Sequence, residues 1–328
     1  MKVSPSILEV RSPFAAKTLG TLDPRCRVVQ FSEPLSDSDY QKLAAFLQQY
    51  PGVSLRAYGS FEFRDLEFLS YFGEVRKVQI DAWKVESFDG LGYLSEQLEF
   101  LGLGNTKKTL SLAVLKRFQH LKELYLEGHR KDIAVVGTLL HLEQLTLRSV
   151  RMPDIRFLEP LQKLWWLALK LGGIRDLTAL PRIGRLKYLE LWMIRALEDL
   201  SPIADVGTLQ YLFLQDLRRV THLPDMAGLR SLRRVHLQNL KGLTDLRALL
   251  SAPSLEELLV LESPQLKVDD FRGLVGHPTL KRGFIALGKS APFGRHTKAS
   301  AEVEEMLGLE RLASFSQFKP GPDVYDWR

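Results

Sequence analysis

Eight residues near the C-terminal end, Gly283-Phe-Ile-Ala-Leu-Gly288-Lys289-Ser290, form the G-x-x-x-x-G-K-S string of a phosphate-binding loop. In a nucleotide site the loop amides and Lys289 would hold phosphates and Ser290 a magnesium ion. Such a loop follows a buried strand and opens directly into a helix. Here Phe284 to Leu287 are apolar residues that suit the strand itself, and Pro292 and Gly294 delay any helix. The string therefore reads as a coincidence, and a nucleotide-binding enzyme is kept only as the alternative function. Gly102 and Gly104 hint at a second glycine-rich loop but fall on outward strand positions. His129 and Asp132 offer two metal-ligand types, fewer than a metal site needs. His120 and His141 read as polar turn residues. H-E-x-x-H, G-x-S-x-G and C-x-x-C do not occur. A single cysteine, Cys26, excludes an internal disulfide framework and multi-cysteine metal sites, and favours a reducing, cytoplasmic setting. No enzyme activity, cofactor or metal is expected.

The elements that carry these residues are set by a repeat. The apolar pattern L-x-x-L-x-L begins at Cys26/Val29/Phe31 and Tyr50/Val53/Leu55 and continues through Leu142/Leu145/Leu147 and Leu164/Leu167/Leu169. It ends at Leu255/Leu258/Val260 and a degraded Leu280/Gly283/Ile285, giving twelve copies at a mean spacing near 23 residues. After Leu167 and Leu169 the apolar positions run Ile174, Leu177, Leu180 and Ile183. A spacing of two predicts a strand; a spacing of three predicts a tight 3₁₀ or irregular return.

These residues resemble the leucine-rich repeat superfamily, in its 22-residue class of bacterial internalins and a nuclear phosphatase regulator. The resemblance covers about residues 26–287. It implies an α/β fold class: a leucine-rich repeat solenoid with a curved parallel sheet of about twelve strands, short 3₁₀ or irregular convex segments, and a helix near each end. The family's asparagine two residues beyond each strand is replaced by Thr106, His129, Val150, Gly172, Ile194, Leu217, Leu240 and Ser263. The expected organisation is an N-terminal segment 1–25, an array 26–287 with a helix at about 37–50, and a capping segment 288–328. Ser36 to Asp39 has the form of a capping box. Glu302, Glu304 and Glu305 suit the start of a second helix. Phe315, Phe318, Tyr325 and Trp327 are expected to cover the open end. The signal peptide and surface anchor of internalins are absent from the sequence, so host-cell adhesion is not expected. Ubiquitin-ligase activity, which some bacterial leucine-rich proteins carry in a large helical domain after the repeats, is not expected, because about 40 residues follow the repeats and Cys26 lies in a repeat strand.

In such a fold the variable strand positions form the concave face. One column there reads Trp166, Tyr188, Tyr211 and Arg234, and neighbouring columns carry Lys170, Glu190, Trp192 and Phe213, with Arg148 alongside. Five aromatics among charges match the composition of binding hot spots, so these residues are expected to form a solvent-facing site for a protein or peptide. The formal charge of +6, from 45 basic and 39 acidic residues, is not concentrated on this face, where five basic and five acidic positions balance. That disfavours nucleic acid there, which requires a basic stripe; a basic outer edge touching nucleic acid or membrane is the other alternative. No apolar run approaches the 18 residues of a membrane span. The expected state is a cytoplasmic monomer acting as adaptor, regulator or neutraliser of a toxin or effector.

Overall fold

The computed structural model describes residues 6–15, 19–59, 62–289 and 294–312. The chain divides into two compact units, Met1–Arg151 and Met152–Arg328. In the first, β1 (Ile7–Glu9), β2 (Val28–Phe31), β3 (Ser54–Gly59), β4 (Lys77–Ala82), β5 (Phe100–Leu103), β6 (Glu123–Glu127) and β7 (Gln144–Arg148) each pair in parallel with the next. The second repeats the pattern with β8 (Trp166–Lys170), β9 (Tyr188–Trp192), β10 (Tyr211–Gln215), β11 (Arg234–Gln238), β12 (Glu257–Leu261), β13 (Arg282–Ala286) and β14 (Glu310–Arg311). The leucine pattern marks twelve of these strands. It misses β1 and β14, which are too short to show alternation.

Alternation sets which face is buried. Leu167, Leu189, Leu212, Val235 and Leu258 stand opposite one another on successive strands, and all are fully buried. Each return then runs inward every third residue, because i to i+3 hydrogen bonds place such side chains above one another. Thus Leu180 N donates to Leu177 O (2.8 Å), and Ile183 N to Leu180 O (3.1 Å). An aspartate starts several returns: Asp154, Asp176, Asp199 and Asp245 accept from the backbone N–H two residues on, at 2.7 to 3.0 Å. Each such bond closes a local turn at the start of a return.

The missing asparagine column is replaced in two ways. Val150, Ile194, Leu217 and Leu240 are buried as core residues, whereas His129 bonds Gly104 O through Nε2 at 3.0 Å. The chain also leaves strands through a left-handed residue: Gly128 (φ 80°), Leu171 (56°), Met193 (52°), Asp216 (54°), Asn239 (52°) and Glu262 (51°). In that conformation the N–H points sideways and extends the ladder by one bond. Leu171 N reaches Trp192 O at 2.8 Å, and Met193 N reaches Gln215 O at 2.8 Å.

Helices lie near both ends. Helix α1 (Asp37–Leu47) carries the return from β2 to β3. Ser36 Oγ accepts from Asp39 N at 3.3 Å, as the capping box requires, but the reciprocal bond is made by Ser12, whose Oγ accepts from Ser36 N at 2.9 Å. Asp39 instead takes bonds from Lys42 (2.8 Å) and Ser12 (2.7 Å), which hold its carboxyl at about 2. Helix α2 (Lys298–Met306) begins one turn earlier than its acids suggest, capped by Thr297. Glu304 is not at the helix start: its carboxylate accepts from Ile285 N at 2.9 Å, and Ser300 Oγ accepts from Leu287 N at 3.2 Å. Side chains of α2 thus continue the hydrogen-bond ladder of β13 where β14 stops.

Candidate functional site

The register of the second unit aligns the variable positions into rows. Trp166, Tyr188, Tyr211, Arg234, Glu257 and Arg282 stand opposite one another on β8 to β13. Ala168, Glu190, Phe213 and His236 form the next row, and Lys170, Trp192 and Gln215 the third. Strands about 4.8 Å apart bring large rings into contact. Trp166 stacks on Tyr188 at 3.6 Å and 12°, and Tyr188 meets Tyr211 edge-on at 5.1 Å. Trp165, Trp166 and Phe213 pack around this pair.

That packing corrects the expected exposure. Tyr188 and Tyr211 are each only 1% exposed, so neither is a solvent-facing contact. Trp166, Trp192 and Phe213 are half-buried and keep part of their surface accessible. The rings follow strand spacing so closely that each covers the next, which composition alone does not reveal.

Charged side chains lock the rows. Lys170 Nζ lies 2.8 Å from Glu190 Oε2, which also accepts from Tyr188 Oη at 3.0 Å. Arg234, 2% exposed, sits over the Tyr211 ring and donates through Nε to Glu257 Oε2 at 2.5 Å. Arg282 reaches the other Glu257 oxygen at 2.6 Å. Phe213 stacks on His236 at 4.1 Å, and Trp192 Nε1 donates to Asp216 at 3.2 Å. Arg148 belongs to the first unit, where its Nε bonds Glu127 at 3.0 Å.

Burial drives the titration of this layer. Desolvation, followed by the charge of Glu190, pushes the Tyr188 hydroxyl well above its usual range. Burial, and then the charge of Arg234, pull His236 down to about 3. An unfolded chain protonates the same imidazole near pH 6.5. From about pH 6.5 down to 3 the unfolded state therefore binds more protons, and stability falls on acidification. Urea midpoints measured from pH 7.5 to 4.5 should fall less steeply for His236→Gln than for the natural chain; parallel slopes would contradict this assignment.

The phosphate-loop string is engaged elsewhere. Phe284 to Ala286 belong to β13, the amides of Ile285 and Leu287 donate to helix α2, and Gly288 N donates to Arg295 O at 2.9 Å. Ser290 lies outside the described residues, as do Phe315, Phe318, Tyr325 and Trp327. His129 is buried, which lowers its pKa. Asp132 accepts a short bond from Ser111. Among the described residues no three potential metal ligands come together, and no helix is long and apolar enough to cross a membrane.

No protein-family model and no curated protein matches this chain. Solved structures do. An internalin from Listeria monocytogenes superposes with a TM-score of 0.60 at 18% identity, over 93% of this chain and 86% of its own. Internalin C2 of the same organism gives 0.41 at 22% identity over 62% and 76%, and a leucine-rich repeat protein of Leptospira interrogans gives 0.44 at 15% over 88% and 90%. With strands in chain order, 3₁₀ returns, inward leucines at a regular interval and the first internalin's likeness, this chain has the fold of a leucine-rich repeat solenoid.

Proposed function

We propose that the protein is a non-enzymatic binding module that holds a protein or peptide partner on the strand face of its second unit. One observation carries this reading. Trp166, Trp192 and Phe213 present partly exposed rings from a layer whose other members are fixed by stacking and ion pairs. Rigid aromatic anchors beside arginine and lysine are what binding hot spots are made of, and immobilised side chains lose little entropy on association. In this reading Tyr188, Tyr211, Glu190 and Arg234 position the anchors, and Lys170 contributes charge beside Trp192 at 5.9 Å. The protein acts as a monomer, as an adaptor or as an inhibitor that covers its partner. Its single cysteine, buried Cys26, suits a reducing cytoplasm.

A photo-reactive benzoylphenylalanine placed at Trp166, Phe213 or Thr178 and irradiated in the native host tests this. The first two positions lie on strands, and Thr178 is an exposed residue of a return. The reading expects one protein crosslinked from both strand positions and not from 178. Crosslinks from 178 alone, or none from the strands, would overturn it.

A further inference from the structure

The first unit has a pocket of its own, beside a glycine that follows β5. Strand β5 places Gly102 at an outward position, and Gly104 follows directly after it. The adjacent strands carry Gln79 and Asp81 on β4, and Tyr125 and Glu127 on β6. The strands on either side of β5 are about 9.6 Å apart. Beside Gly104 lies a cavity of about 490 Å³ whose walls include Arg56, Asp81, Trp83, Asn105, Tyr125 and Glu127, whereas Gln79 and Phe100 pack over Gly102. This is within the size range of small-molecule sites. A Cβ on Gly104 would come within 2.6 Å of Asp81 Oδ1, so a side chain there would push the Asp81 carboxylate out of its place in the cavity wall.

The lining selects among ligand classes by charge. Asp81 Oδ2 accepts from Arg56 Nε (2.6 Å) and Gln79 Nε2 (2.7 Å). Glu127 accepts from Arg148 Nε (3.0 Å) at one oxygen and from Tyr125 Oη (2.9 Å) at the other. Each carboxylate thus has an arginine beside it, which reduces the attraction for a cation. The same one-to-one pairing leaves no excess of positive charge to hold an anion. What remains is a set of fixed hydrogen-bond acceptors, with the Asn105 amide and the Trp83 indole N–H as further polar groups. Tyr58 and Tyr125 line the same cavity, and Trp83 is 42% exposed. Their rings offer flat apolar faces beside the polar atoms. We propose that this pocket binds a neutral saccharide of one or two pyranose rings, hydroxyls on Asp81, Asn105 and Glu127 and a ring face on Trp83. This goes beyond the protein-binding reading, which concerns the second unit, and stands without it.

Saturation-transfer NMR on the full chain tests the proposal. The probes are glucose, mannose, galactose, N-acetylglucosamine and their β-linked disaccharides, with spermidine and N-acetylneuraminic acid as charged comparisons. The expected result is transfer to at least one neutral sugar, at least tenfold weaker in Trp83→Ala and in Gly104→Ser. Trp83 is a surface residue, so its variant keeps the fold even if Gly104→Ser does not, and thermal melting of both is recorded. Transfer to spermidine alone would make the pocket a receptor for cationic side chains and overturn the proposal. So would the absence of transfer to every neutral sugar, or transfer unchanged in Trp83→Ala.

Discussion

Replacing Gly184 by alanine is expected to destabilise the second unit by about 3–5 kcal/mol. Gly184 has φ +51°, a conformation that costs an L-residue roughly 1–2 kcal/mol. A Cβ there would also meet Leu164 O at 2.2 Å and Leu161 O at 2.8 Å. Neither carbonyl yields easily: Leu164 O accepts from Arg185 N at 3.0 Å, and Leu161 O from Leu164 N at 3.1 Å. Gly276 is the matched comparison, since its φ is +77° and nothing lies within 4 Å of its virtual Cβ. Gly276→Ala should therefore lose only about 1 kcal/mol, the conformational part. Urea unfolding of both variants checks this, and equal losses would show that the close approach to Leu164 is not the cause.

Phe31→Ala is expected to cost the first unit about 3–5 kcal/mol. The ring is fully buried and touches Tyr40, Phe63 and Phe68 at centroid distances of 5.7, 5.8 and 5.5 Å. These neighbours come from α1 and two other segments, so no single one can move to fill the cavity. Phe31→Leu, which retains most of the volume, should cost less than about 1.5 kcal/mol. Denaturation midpoints of the two variants that coincide would mean that the site collapses around whatever it holds.

The sequence made the repeat legible because a leucine at every second or third position has few other physical explanations. It made the rows legible too: once the repeats are aligned, Trp166, Tyr188 and Tyr211 fall opposite one another without knowledge of any side-chain contact. Their burial was not legible, since it depends on rotamers that let each ring cover the next. The left-handed exits from strands were half visible. Gly128, Asp216 and Asn239 are types that tolerate positive φ, but Leu171, Met193 and Glu262 carry no such signal. A column of aspartates at 154, 176, 199 and 245 closes turns by side-chain bonds, a weaker sequence signal than the leucine pattern beside it. Gly102 and Gly104 show in the sequence only as outward strand positions; that Gly104 lines a cavity while Gln79 and Phe100 cover Gly102 depends on side-chain packing.

The central claim is that partly exposed aromatic side chains on the second unit's strands hold a protein partner. Its most direct measurement is the dissociation constant of the crosslinked partner for the natural chain, Trp166→Ala, Phe213→Ala and Thr178→Ala, with the melting temperature of each recorded. Loss of a central anchor costs at least about 2 kcal/mol, so Trp166→Ala should weaken binding roughly thirtyfold or more. Phe213→Ala should weaken it less, and Thr178→Ala by less than about twofold. Unchanged affinity in Trp166→Ala, or equal weakening in all three folded variants, would contradict the account and leave the aromatic row as a structural layer only.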